Sequence, residues 1–157
     1  MHIHYISEQN SILNHFLAQI RDVNIQKDSM RFRKNIERIG EIMAYELSKT
    51  LDYKEIDVQT PLGIKHTTTI AEPVVLCSIL RAGLALHQGF MSFFDNAENG
   101  FVSAYRHHYN NDDKFEILVE YQAAPSFEGK NLILIDPMLA TGQSLVAVLH
   151  KLHLEHQ

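Results

Sequence analysis

Apolar residues recur at helical intervals in the first third of the chain. Ile12, Leu13, Phe16, Leu17 and Ile20 make one stripe, and Phe32, Ile36, Ile39, Met43 and Leu47 a longer one. Two amphipathic helices are expected there, the second capped by Asp28 or Ser29. The pattern then turns extended. Ile56-Asp57-Val58 and Ile64–Ile70 flank Thr60-Pro61-Leu62-Gly63, which reads as a small hairpin. From Pro73 onward, short apolar runs alternate with helical stretches. Val74–Leu80 is expected to be a strand, Leu84–Phe94 a helix, Phe101–Arg106 a second strand and Lys114–Tyr121 a third extended segment. A turn around Pro125–Gly129 leads to a fourth strand, Asn131–Asp136, and an amphipathic stretch, Leu145–Leu152, closes the chain as a helix.

Strands joined through helical crossovers imply an α/β fold, a parallel sheet flanked by helices, preceded here by N-terminal helices and the hairpin. Such sheets take ligands at the carboxyl ends of their strands. Arg81 follows the first core strand, Arg106 ends the second and Asp136 ends the fourth. Two guanidiniums and a carboxylate are therefore expected along one edge. With the small-residue loop Asp136–Ser144 opening a helix beside them, a helix start that favours anions, they suit a ligand that has phosphate at one end, pyrophosphate at the other and a ribose between.

Length and composition narrow the class. The chain has 157 residues, 45% of them hydrophobic, which suits one domain with its own core. We expect residues 1–72 to form the helices and hairpin, and residues 73–157 the α/β core. The formal charge of −5 argues against broad nucleic-acid binding. The single cysteine, Cys77, lies inside an apolar strand pattern and reads as a buried thiol, so a reducing compartment is favoured. The N-terminus lacks the apolar stretch of a signal peptide, and no segment reaches membrane-spanning length. A cytoplasmic protein without membrane contact is expected.

The most specific chemistry lies in Asp136-Pro137-Met138-Leu139-Ala140-Thr141-Gly142-Gln143-Ser144, set between a strand and a helix. Small residues let several backbone N–H groups converge, and a helix N-terminus adds positive potential. The triphosphate-binding loop is excluded, because it ends in Lys followed by Ser or Thr, and no lysine lies between Lys130 and Lys151. The nine-residue string resembles the ribose-phosphate loop of uracil phosphoribosyltransferases. Most of the wider superfamily has two successive acidic residues where this chain has Asp136-Pro137, and Gln143 stands where glycine is commonest. Ile79–Leu84 (Ile-Leu-Arg-Ala-Gly-Leu) resembles that family's pyrophosphate-contacting segment, and Tyr105-Arg106 its second arginine. Met30–Arg33, with Arg31 and Arg33, is similar to the family's N-terminal Lys-Arg-Phe-Arg segment and is assigned to packing or subunit contacts.

The resemblance implies transfer of phosphoribosyl from 5-phosphoribosyl 1-diphosphate to N1 of uracil, giving UMP and diphosphate. It implies that Asp136 holds the ribose hydroxyls and that Arg81 and Arg106 neutralise the leaving group. Pro137, Met138, Leu139, Ala140, Thr141, Gly142, Gln143 and Ser144 would line the phosphoribosyl-diphosphate site, the amides from Ala140 to Ser144 with the Thr141 and Ser144 hydroxyls fixing the 5-phosphate. Mg²⁺ would ride on the substrate's oxygens rather than in a protein cage. It also implies a homo-oligomer, and a flap at His107–Lys114, whose polar composition otherwise suits a solvated hairpin tip. His150, His153 and His156 repeat every third residue, but histidines late in a helix are explained by its dipole. The family's Tyr-Ile-x-Pro-Gly-Leu-Gly-Asp-Ala-Gly-Asp segment, which reads uracil, does not occur in these 157 residues. The sequence therefore leads us to expect C-terminal strands and the uracil-binding part to be missing, and a catalytically incomplete chain. Two other functions compete: a non-catalytic phosphoribosyl-diphosphate-binding module, and an RNA-binding regulator of pyrimidine genes, which the acidic balance disfavours.

Overall fold

A computed structural model describes residues 2–108, 115–138 and 141–155, with side chains at those positions except 104–108, 115–120 and 153–155. The N-terminal stripes form α1 (Ile12–Arg21) and α2 (Ser29–Ser48), separated by one 3₁₀ turn at Ile25–Lys27. Ser11 caps α1 through its side chain, accepting from the Leu13 N–H at 3.2 Å. Of the two candidates for α2, Asp28 is the cap: its carboxylate accepts from the N–H groups of Met30 and Arg31 at 3.1 and 3.0 Å. β1 (Tyr53–Thr60) and β2 (Gly63–Ile70) form an antiparallel hairpin that makes a two-stranded sheet of its own.

The core sheet contains β3 (Val74–Leu80), β4 (Glu98–His108), β5 (Phe115–Ala123) and β6 (Asn131–Ile135), in the order β5-β4-β3-β6. α3 (Leu84–Met91) links β3 to β4, and α4 (Gln143–Glu155) follows β6. β3 pairs parallel with both β4 and β6, whereas β5 runs antiparallel to β4. The sheet is therefore mixed, three parallel strands with one antiparallel strand on the outside.

Central strand β3 carries apolar residues on both faces because both faces are covered. Val74 and Leu76 join Ile133 and Ile135 of β6 in one core with Leu13, Ile39, Ala44, Leu86 and Phe90 from α1, α2 and α3. Cys77 and Ile79 point to the other side, where Val102 of β4 meets Val148 and Leu152 of α4. The period of two along β3 assigns each side chain to one layer, and Ser78 falls on the α3 side.

Candidate functional site

The parallel strands bring two loops to one edge. β3 ends at Leu80, so Arg81 is the first residue beyond it; β6 ends at Ile135, so Asp136 holds the equivalent place. Ser78 pairs with Ile135 across these strands. The loops touch through Gly83. A Cβ there would lie 2.7 Å from the carbonyl oxygen of Ile79 and 3.2 Å from that of Ile135. Gly83 has ordinary backbone angles (φ −65°, ψ −17°). Glycine is required here for close approach, which lets the Arg81 turn rest against the last residue before Asp136. The peptide bond between Leu80 and Arg81 is cis.

Arg81 is exposed, and no hydrogen bond or ion pair to its guanidinium occurs among the described residues. A structural ion pair, the ordinary fate of an arginine at a strand end, is thus not found among the described residues. Asp136 accepts a bond from the Met138 N–H at 3.1 Å, which folds Pro137 and Met138 back over the strand end. Thr141 and Gly142 precede α4, and the Val146 N–H donates to the Gly142 carbonyl at 3.0 Å. Gly142 has φ +76°, the left-handed region that favours glycine. Gln143 opens the helix, so its departure from the commonest family residue requires no unusual backbone angle. Ser144 sits in the first turn of α4, where N–H groups have no intrahelical acceptor and attract anions. Leu139 and Ala140 lie outside the described residues.

Arg106 departs from expectation in its place along the strand. β4 does not end there but continues to His108, because antiparallel β5 supplies hydrogen-bonding partners after β3 has ended. The last β3 pairing is Leu80 with Ser103, a register irregularity follows between Ser103 and Ala104, and Arg106 pairs with Ile117 on the extension. Its backbone therefore lies beyond the edge that carries Arg81 and Asp136, and its side chain is outside the described set. Residues 109–114, most of the expected flap, are outside it too, as are the side chains of His153 and His156. Among the described residues, no three His, Cys, Asp or Glu side chains gather as a metal site, and no helix is long and apolar enough to cross a membrane. A groove of about 810 Å³ lies elsewhere, where the N-terminal segment meets α2, and neither Arg81 nor Asp136 lines it.

Sequence reasoning passed over Ser78, His87 and Asn99. Ser78 and His87 are buried at 0% and 3% exposure. The Ser78 hydroxyl lies 2.6 Å from His87 Nδ1, and His87 Nε2 lies 2.8 Å from the Asn99 side-chain oxygen. Burial holds the His87 imidazole below the usual histidine pKa, with the Asn99 bond partly opposing. A serine inside an apolar strand and a histidine on the apolar face of a short helix were the available signals.

The decisive comparison is a family model described as uracil phosphoribosyltransferase, which matches residues 6–157. The chain belongs to the uracil phosphoribosyltransferase family. It is 49% identical over 145 residues to the uracil phosphoribosyltransferase of Porphyromonas gingivalis, covering 92% of this chain and 67% of that protein. It is 37% identical over 145 residues to that of Methanothermobacter thermautotrophicus, covering 91% of this chain and 65% of that one. The chain thus spans about two thirds of the length of these relatives. Among solved structures, the AQ2163 protein from Aquifex aeolicus matches with a TM-score of 0.79 and 30% identity, over 96% of this chain and 70% of that one. A hypoxanthine phosphoribosyltransferase from Staphylococcus aureus, at 17% identity and a TM-score of 0.54 over 79% of this chain and 58% of that one, is alike in fold.

Proposed function

We propose that residues 1–157 form one domain supplying the phosphoribosyl-diphosphate half of a uracil phosphoribosyltransferase site. The observation that carries this reading is the packing of Gly83 against the Ile135 carbonyl. It sets an exposed arginine, without an ion-pair partner among the described residues, beside the Asp136–Ser144 loop. Membership of the family supports the substrate pair, phosphoribosyl diphosphate and uracil.

In the proposed reaction the C1–O bond to diphosphate breaks as uracil N1 bonds to C1 and loses its proton, giving UMP and diphosphate. Positive charge grows on the ribose and negative charge on the leaving group. Asp136 holds ribose hydroxyls and places a carboxylate near the developing cation. Arg81, joined by Arg106, neutralises the diphosphate; a planar, permanently charged guanidinium suits that task. N–H groups from Ala140 to Ser144, with the Thr141 and Ser144 hydroxyls, hold the 5-phosphate at the N-terminus of α4. Mg²⁺ fits as an ion carried mainly on substrate oxygens, since the loop offers one carboxylate followed by Pro137; bound there, it supplies further neutralisation of the diphosphate. The same reading makes the protein cytoplasmic and self-associating, the exposed hairpin being an available contact surface.

The test is diphosphate release by the purified 157-residue chain given phosphoribosyl diphosphate and Mg²⁺, with and without uracil, alongside calorimetric titration of phosphoribosyl diphosphate. Binding with little turnover is the expected result. Uracil-dependent release at the rate of a full-length relative would mean that residues 1–157 also read the base. Folded protein that binds no phosphoribosyl diphosphate would overturn the site.

A further inference from the structure

We propose that Ser78, His87 and Asn99 form a directed hydrogen-bond chain that positions Arg81 for the diphosphate end of the substrate. The positioning role rests on the site reading above; the chain itself does not.

The direction of every bond follows from its far end. The Asn99 side-chain nitrogen donates to the Ala97 carbonyl at 3.3 Å, and that carbonyl can only accept. The Asn99 oxygen must then face His87. An amide oxygen only accepts, so His87 Nε2 carries the proton and Nδ1 presents its lone pair. The Ser78 hydroxyl is left to donate to Nδ1, across 2.6 Å. The sequence of donation is Ser78 to His87 to Asn99 to Ala97, with a neutral imidazole in one fixed tautomer. The Phe101 ring, 4.9 Å away between centroids, covers the imidazole.

The bonds join three elements at the point where the Arg81 turn needs holding. Ser78 lies on β3, three residues before Arg81, and His87 lies on α3, one turn after Gly83, to whose carbonyl its N–H donates at 2.8 Å. Asn99 is on β4, paired with Leu76 of β3. Within the turn, the backbone bonds are Gly83 N–H to the Ile79 carbonyl at 3.0 Å and Leu84 N–H to the Arg81 carbonyl at 3.3 Å. The α3 N-cap is Gly83, which has no side chain to cap the helix. The Ser78–His87 bond ties the strand before the turn to the helix after it, and so fixes the span that aims Arg81. These three are positioning residues; none is placed to touch the substrate.

Ser78→Ala removes the donor with little change in volume, and Asn99→Ala, at an exposed position, cuts the far end with less risk to folding. Amide hydrogen exchange reads the tie without any ligand: Gly83, Leu84 and His87 amides should exchange about tenfold faster in S78A, while β3 amides keep their rates. Binding reads the consequence, with inorganic diphosphate probing the Arg81 end and ribose 5-phosphate the Asp136–Ser144 loop. We expect S78A to lose about tenfold in diphosphate affinity, with ribose 5-phosphate affinity unchanged, because a small displacement of an aimed group is costly. N99A should shift the same quantities in the same direction by less, and it decides the matter if S78A does not fold. Unchanged exchange, or equal loss for both ligands, would overturn the proposal. Wild-type protein that binds neither ligand would sink the site reading and the positioning role with it, and faster exchange in S78A would then show a purely structural tie.

Discussion

The guanidinium of Arg81 is exposed just beyond β3 and makes no ion pair among the described residues. Its removal should therefore separate binding from folding. In Arg81→Ala, thermal stability should stay at the wild-type value while diphosphate affinity falls about tenfold or more, the scale of a lost charge-assisted hydrogen bond; matched calorimetric titration and melting curves check this. Cys77 behaves oppositely. Burial pushes its thiol up to about 11, so little thiolate exists at neutral pH. Alkylation followed by mass spectrometry should find it unmodified in the native protein and modified in denaturant. His87 links residue chemistry to stability. Burial holds its pKa below the usual value, with the Asn99 bond opposing, and the partners it bonds, Ser78 and Asn99, are uncharged. The unfolded chain takes up the proton first as pH drops. The stability contributed by neutral His87 is complete above a pH of about 6.5 and is lost as pH falls below it toward the lower folded value. Melting temperatures between pH 7.5 and 5 should fall less steeply in His87→Gln than in wild type.

At the scale of elements, the crossing of α2 and α3 is set by two glycines. A Cβ on Gly89 would lie 2.1 Å from the Glu37 carbonyl oxygen and 2.9 Å from the Gly40 Cα. These neighbours are backbone, so the helices would have to part. Gly89→Ala should cost about 1–3 kcal/mol in urea unfolding, despite its better helix propensity; an unchanged midpoint would show that the crossing yields cheaply. The stripes that built α1 and α2 were readable because one face of each meets the core, and β3 was readable because both its faces are covered. The direction of β5 was not. Its short β-branched and apolar run, Ile117-Leu118-Val119 between Glu116 and Glu120, marks extended chain, but pairing sense depends on a partner that local pattern does not name. The cis Leu80–Arg81 bond was equally hidden, for no proline follows Leu80 and the residues are ordinary ones. In the candidate site, Arg81 and the Asp136 loop were legible because polar residues at the ends of apolar strands stand out. Ser78 and His87 were not, because a small hydroxyl or an imidazole among apolar neighbours looks like tolerated filler until a partner nine residues away is seen to meet it.

For the whole molecule, the sheet is sandwiched between α1–α3 and α4, and the β1–β2 hairpin stands apart as a separate two-stranded sheet. Val58 on one face of the hairpin and Ile64 on the other are exposed. A lone hairpin is marginal in water, which supports a contact with a second copy. Sedimentation velocity should show self-association in wild type and a shift toward monomer in the Val58→Glu, Ile64→Glu double variant; an unshifted profile would place the contact elsewhere.

The fit of Gly83 against the Ile135 carbonyl has a consequence for binding as well as for shape. If both loops bind their anions together, this contact is the route by which occupancy of one would reach the other. Thermodynamic linkage then requires reciprocity: if ribose 5-phosphate sharpens the hold on diphosphate, diphosphate sharpens the hold on ribose 5-phosphate by the same factor. Enlarging Gly83 by a single methyl group should then bring that factor toward one, which paired calorimetric titrations of the two anions would read.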